Sequence, residues 1–184
     1  MRLFIAVNIP DNIKESLFDF QNELKNCNAD VKWTNKKQFH LTLKFLGETE
    51  ENRIDNIVSG IAKALKGFKS FKISFAGAGV FPGLKEPKII WAGALEGKKE
   101  LEEIAGKIED NLEPEGFKKE KRSFSAHLTL GRFKSLKNKD AVINKILESE
   151  KTPLGYFEAA SVELMQSIIH HDGPEYKCIK SISI

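Results

Sequence analysis

The sequence predicts an α+β fold: two similar lobes of mostly antiparallel sheet, with helices on the outer faces, around a central cleft. Three observations predict it. Short β-rich runs alternate with amphipathic helical stretches along all 184 residues, joined by tight turns. No long linker or low-complexity segment interrupts them, so residues 1–184 read as a single bilobal domain. A four-residue string, His-Leu-Thr-Leu, stands at 40–43 and again at 127–130, near the middle of each half.

The elements follow in order. Residues 2–8 are a β-rich run. Pro10 and Asp11 then open a helix with Ile13, Leu17, Phe20 and Leu24 on one face. Residues 31–33 form a short extended piece, and residues 39–46 a strand closed by Gly47. Ile54, Ile57, Val58, Ile61 and Leu65 form the apolar stripe of a second helix. Residues 71–81 are rich in β formers and end at the turn pair Pro82-Gly83. Residues 88–95 are the next strand. Gly97 precedes a third helix with Leu101, Ile104, Ala105, Ile108 and Leu112 on one side, broken by Pro114 and Gly116. A strand over 124–133 carries the second motif. Val142, Ile143, Ile146 and Leu147 build a short helix over 138–149, and strands over 156–165 and 176–184 complete the chain. The expected order is β-α-β-β-α-β-β-α-β-α-β-β.

Bulk properties exclude several classes. Hydrophobic residues at 41% and charged residues at 30% match a soluble globular protein. No apolar run approaches the roughly 18 residues of a membrane-spanning helix. The apolar stretch at the N-terminus is too short for a signal peptide and reads as the first strand, so a cytoplasmic location is expected. A net charge of +3 is mildly basic, below what marks a nucleic-acid binder by itself. Cys27 and Cys178 have no C-x-x-C spacing and make no metal or redox motif.

The repeated string carries the chemistry. Only four histidines occur in the chain, and two of them head the two copies. In a strand, alternate residues share a face. His40 and Thr42 therefore point one way, and Leu41 and Leu43 the other. His127 and Thr129 repeat this against Leu128 and Leu130. The leucines anchor each strand on a core and leave an imidazole and a hydroxyl on the open face, roughly 7 Å apart. Two such strands facing one another would place two imidazoles and two hydroxyls around one small space. Histidine exchanges protons near neutral pH, and hydroxyls donate hydrogen bonds to anionic oxygens. The constellation suits phosphoryl chemistry with an alkoxide leaving group. One histidine protonates the leaving oxygen and the other deprotonates the attacking hydroxyl or water. Alternation alone does not say which does which.

Other features are weaker. Lys44 is in phase with His40 and Thr42, but a solvated strand lysine is the expected reading. His170 and His171 are expected in a surface loop without metal-ligand spacing, where they would graze a substrate's base at most. The glycines from Gly77 to Gly83 lack dinucleotide-loop spacing. The run Lys118-Lys119-Glu120-Lys121-Arg122 lies just before the second motif; such a run is usually a solvated loop, though at the mouth of the expected cleft it would suit an anionic backbone.

In these residues the chain resembles the two-histidine phosphoesterases. Among them it is similar to the RNA 2′,3′-cyclic phosphodiesterases, also called 2′-5′ RNA ligases. The likeness runs through the opening residues 2–7, the blocks 39–48 and 124–132, and Gly173-Pro174-Glu175-Tyr176. It implies a metal-free, cofactor-free hydrolysis of RNA 2′,3′-cyclic phosphate ends to 2′-phosphate ends. It implies His40 as proton donor, His127 as proton acceptor, and Thr42, Thr129 and Arg132 as phosphate-binding residues. The implied partners are RNA ending in a 2′,3′-cyclic phosphate, tRNA fragments among them, or small cyclic nucleotides. A monomer acting without a membrane is expected. Arg132 is out of phase with His127, so a bulge at Gly131 is expected to turn it back. The alternatives are RNA end-joining at the same site, a catalytically silent nucleotide- or RNA-binding module, and a metal-dependent hydrolase.

Overall fold

The computed structural model describes residues 1–171 and 173–184. Its elements are β1 (Arg2–Asn8), α1 (Asp11–Lys25), β2 (Val31–Trp33), β3 (His40–Glu48), α2 (Ile54–Leu65), β4 (Phe71–Phe81) and β5 (Ile89–Ala94). There follow α3 (Lys98–Leu112), β6 (His127–Phe133), α4 (Lys139–Glu148), β7 (Pro153–Ala159), β8 (Ser161–His170) and β9 (Gly173–Ser183). The apolar stripes behave as their spacing requires. Ile13, Leu17, Phe20 and Leu24 of α1, and Leu101, Ile104, Ala105, Ile108 and Leu112 of α3, are all buried.

Two sheets form, and their strands pair antiparallel throughout. One runs β3-β1-β8-β9 and the other β2-β6-β5-β4-β7. The α+β class and the paired sheets agree with the sequence. The lobes, however, are not the two halves of the chain. β2 and β4 leave the N-terminal half for the second sheet, and β8 and β9 close the first. The helices exchange as well: α3 packs on β3, while α1 packs on β7 and α4 on β4. One core runs through both sheets, from Leu3, Ile5 and Val7 to Ile90, Leu128 and Phe157.

Two expected elements differ. The run 156–165 divides at Ala160 into β7 and β8, which lie in different sheets. No turn residue marks the break, which is why the stretch reads as one strand. The expected loop at 167–173 is the end of a hairpin, with His170 of β8 opposite Gly173 of β9. His171 sits in its turn, and Asp172 lies outside the described residues.

Candidate active site

The two motif strands share one local device. In β3, Thr42 pairs with Ala6, but the next paired residue is Lys44, opposite Ile5. In β6, Thr129 pairs with Trp91, and the next is Gly131, opposite Ile90. The last leucine of each motif, Leu43 and Leu130, is thus the extra residue of a bulge. Both are buried. A bulge reverses the alternation beyond it.

This reversal settles three residues. Arg132 returns to the face of His127 and Thr129, because it pairs with Ile89, two places from Trp91 on β5. The bulge lies at Leu130, one residue before the expected Gly131. Gly131 serves close packing instead: a Cβ there would stand 2.7 Å from Val31 Cγ1 and 3.0 Å from Trp33 Cε3. In β3, Phe45 turns out to the site face and Lys44 turns in. Lys44 is therefore not a solvated strand lysine. Its side chain is 1% exposed, pairs with Glu109 of α3 and donates to the Lys118 carbonyl at 2.9 Å. That anchors the foot of the basic run, which leads on to Ser125 and His127.

The histidines are held alike. His40 Nδ1–H donates to the Gln38 carbonyl at 2.6 Å, and His127 Nδ1–H to the Ser125 carbonyl at 2.7 Å. A carbonyl can only accept, so each bond fixes the proton on Nδ1 and leaves Nε2 as the reactive atom. In both cases the acceptor lies two residues before the histidine.

The surroundings differ. His40 lies 4.9 Å from the Phe4 ring and 5.1 Å from the edge-on Tyr176 ring. Phe4, Ala6 and Met165 form a small buried cluster under Tyr176 on this face. Burial lowers the His40 pKa below its usual value; the bond to Gln38 opposes this, and the charge of Lys14 adds to it. The His127 and Phe81 rings stand perpendicular with centroids 5.1 Å apart, and Phe81 stacks on Trp91 at 5.0 Å between centroids. The Trp91 indole lies across glycines. A Cβ at Gly79 would be 2.3 Å from its Cζ2, and one at Gly93 2.9 Å from its Cζ3.

The two half-sites adjoin. β3 and β6 run close together although they belong to different sheets. Gln38 donates from its Nε2 to the Pro174 carbonyl, seating the β8–β9 hairpin beside His40. Tyr176, perpendicular to His40, has its pKa raised by burial, which outweighs the opposing charges of Arg132 and Arg2. Thr42 and Thr129 are half-buried on the open faces. His170 is exposed at the hairpin end, its Nε2 2.9 Å from Glu175. Tyr176, Phe81, Trp91 and Lys32 escaped the sequence reading. Of these, only Tyr176 lies in a motif block, and the others face the site through cross-strand register.

The chain is similar to known proteins along nearly its whole length. The LigT-like phosphoesterase family model matches residues 7–91 and 94–173. The chain is 36% identical to the RNA 2′,3′-cyclic phosphodiesterase of Methanocaldococcus jannaschii over 180 residues, covering 98% of this chain and 99% of that one. It is also 36% identical to the protein of the same name from Archaeoglobus fulgidus, covering 98% of each. In fold it is similar to a Thermus thermophilus protein, with a TM-score of 0.79 at 23% identity, covering 100% of this chain and 97% of that one. E. coli LigT complexed with 3′-AMP superposes with a TM-score of 0.76 at 20% identity, with 100% and 97% covered. The chain belongs to the LigT-like phosphoesterase family.

Proposed function

We propose that the protein hydrolyses RNA 2′,3′-cyclic phosphate ends to 2′-phosphate ends by general acid–base catalysis. The observation that carries this reading is the pair of imidazoles, each with Nδ1 tied to a backbone carbonyl and Nε2 left for proton transfer. The cyclic phosphodiester binds with its free oxygens on the Thr42 and Thr129 hydroxyls and the Arg132 guanidinium. Water attacks phosphorus opposite the 3′ oxygen. His127 Nε2 takes the water's proton, and His40 Nε2–H gives a proton to the departing 3′ oxygen. The P–O3′ bond breaks, leaving a 3′-hydroxyl and a 2′-phosphate. The direction of the two transfers follows the family resemblance. The lowered pKa of His40 makes its imidazolium a stronger acid than that of a free histidine, and a bound phosphate anion favours its protonated form.

The names of the relatives from M. jannaschii and A. fulgidus support the substrate class. The test is incubation of an oligoribonucleotide 2′,3′-cyclic phosphate with the protein in EDTA, with and without a 5′-hydroxyl RNA, followed by identification of the product end. A 2′-phosphate in both mixtures is expected. A joined strand as main product would favour end-joining, loss of turnover in EDTA would favour a metal, and binding without turnover would favour a silent module.

A further inference from the structure

Two positive charges stand directly opposite each other beside this site. Lys32, the middle residue of β2, pairs in register with Arg132 of β6. Directly opposed residues of antiparallel strands share a face. Lys32 therefore lies on the face that carries His127, Thr129 and Arg132.

Like charges in this relation destabilise a sheet. Acidic neighbours would relieve them, as Glu96 does for Lys72 at 2.9 Å and Glu23 for Lys145 at 3.2 Å. Yet among the described residues neither Lys32 nor Arg132 makes an ion pair. Both are exposed. Nor is Lys32 on a loose segment: Val31 and Trp33, on the other face of β2, close over Gly131 and pack against the core. A lysine on an anchored strand, held against an arginine with no counter-charge, is a pair of cations waiting for two anions.

We propose that Lys32 binds the phosphodiester adjoining the cyclic end of an RNA strand, so that the site selects polymer over mononucleotide. The proposal rests on the phosphodiesterase reading above. Cα atoms of directly opposed residues are about 5 Å apart, a spacing that long side chains match to successive phosphates. β2 is an edge strand of its sheet. An RNA strand with its end at Thr129 would pass Arg132, then Lys32, and leave over that open edge.

The test compares the wild type with Lys32→Ala and Lys32→Glu on two substrates, a nucleoside 2′,3′-cyclic monophosphate and a short oligoribonucleotide with the same end, across a salt series. For Lys32→Ala, kcat/KM on the oligonucleotide should fall about three- to tenfold near 0.1 M salt, and the salt slope should shrink by about 0.7, as for one lost phosphate contact to a single strand. Lys32→Glu should fall further. The mononucleotide should change by less than about twofold in Lys32→Ala, whereas the carboxylate of Lys32→Glu, opposite Arg132, should weaken both substrates. Equal losses on both substrates in Lys32→Ala would place Lys32 at the terminal phosphate instead. No loss on either would remove it from the site. Both results overturn the proposal. Binding of an oligonucleotide with a 3′-phosphate end, read by fluorescence anisotropy, keeps the test alive if the wild type turns over neither substrate. In that case the function reading fails, while a weaker and less salt-dependent complex with Lys32→Ala still supports the contact and an unchanged one overturns it.

Discussion

At the scale of the residue, the imidazoles are alike in anchoring and unlike in setting. Their Nδ1 bonds to Gln38 and Ser125 differ by 0.1 Å (2.6 against 2.7 Å), so both should carry the proton on Nδ1 when neutral. Nitrogen-15 chemical shifts check this tautomer directly. The asymmetry comes from the rings around His40. Burial disfavours the charged imidazolium, so the proton leaves His40 at a lower pH than it leaves a free histidine. In an NMR titration His40 should show a pKa below 6.5. Inorganic phosphate in the site should raise it, since an anion favours the cation. Tyr176→Ala should also raise it toward the free value by admitting water to the ring. A pKa unmoved by Tyr176→Ala would show that the tyrosine is not what buries the ring. The sequence displayed the two histidines and their threonines plainly. It could not display this difference, because Phe4 and Tyr176 reach His40 from strands at opposite ends of the chain.

At the scale of the element, the bulges at Leu43 and Leu130 decide which side chains reach the site. Alternation correctly sorts His40 from Leu41 and His127 from Leu128. It then fails at Lys44, Phe45 and Arg132, because a bulge is set by the partner strand and by what fills the space behind it. The bulged Leu130 carbonyl accepts from Gln21 Nε2 of α1 at 2.8 Å and from the Thr34 amide at 2.9 Å. No reading of β6 alone contains those partners. Two variants probe these supports by chemical denaturation. Lys44→Met leaves Glu109 beside an apolar side chain and should cost about 3–5 kcal/mol, as for a broken buried ion pair. Adding Glu109→Leu should restore most of that loss. A single variant as stable as the wild type would show that the pair is not a structural tie. Gly131→Ala forces a Cβ against Val31 and Trp33 and should cost about 1–3 kcal/mol by overpacking.

At the scale of the whole molecule, the site exists because the chain exchanges strands between its two sheets. The motif strands sit close together in a fold where β2 and β4 lie in the sheet of β6, and β8 and β9 in the sheet of β1. The repetition of the motif marks two strands that the fold brings close together. It misleads about the lobes, because pairings such as Trp33 with Gly131 and Phe4 with Met165 join distant parts of the chain. Helix stripes and most strands were legible, since each is a local period. The break at Ala160 was not, since only the partner sheets distinguish β7 from β8. In the proposed reaction His40 and His127 act together as acid and base across the join. The most direct measurement is the single-turnover rate on an oligoribonucleotide 2′,3′-cyclic phosphate for His40→Ala, His127→Ala and the double variant, with folding checked by circular dichroism. Each single change should lower the rate by about 10²–10⁴, and the double change should fall well short of the product of the two, as for residues acting as one unit. A single variant that keeps the wild-type rate would contradict the account.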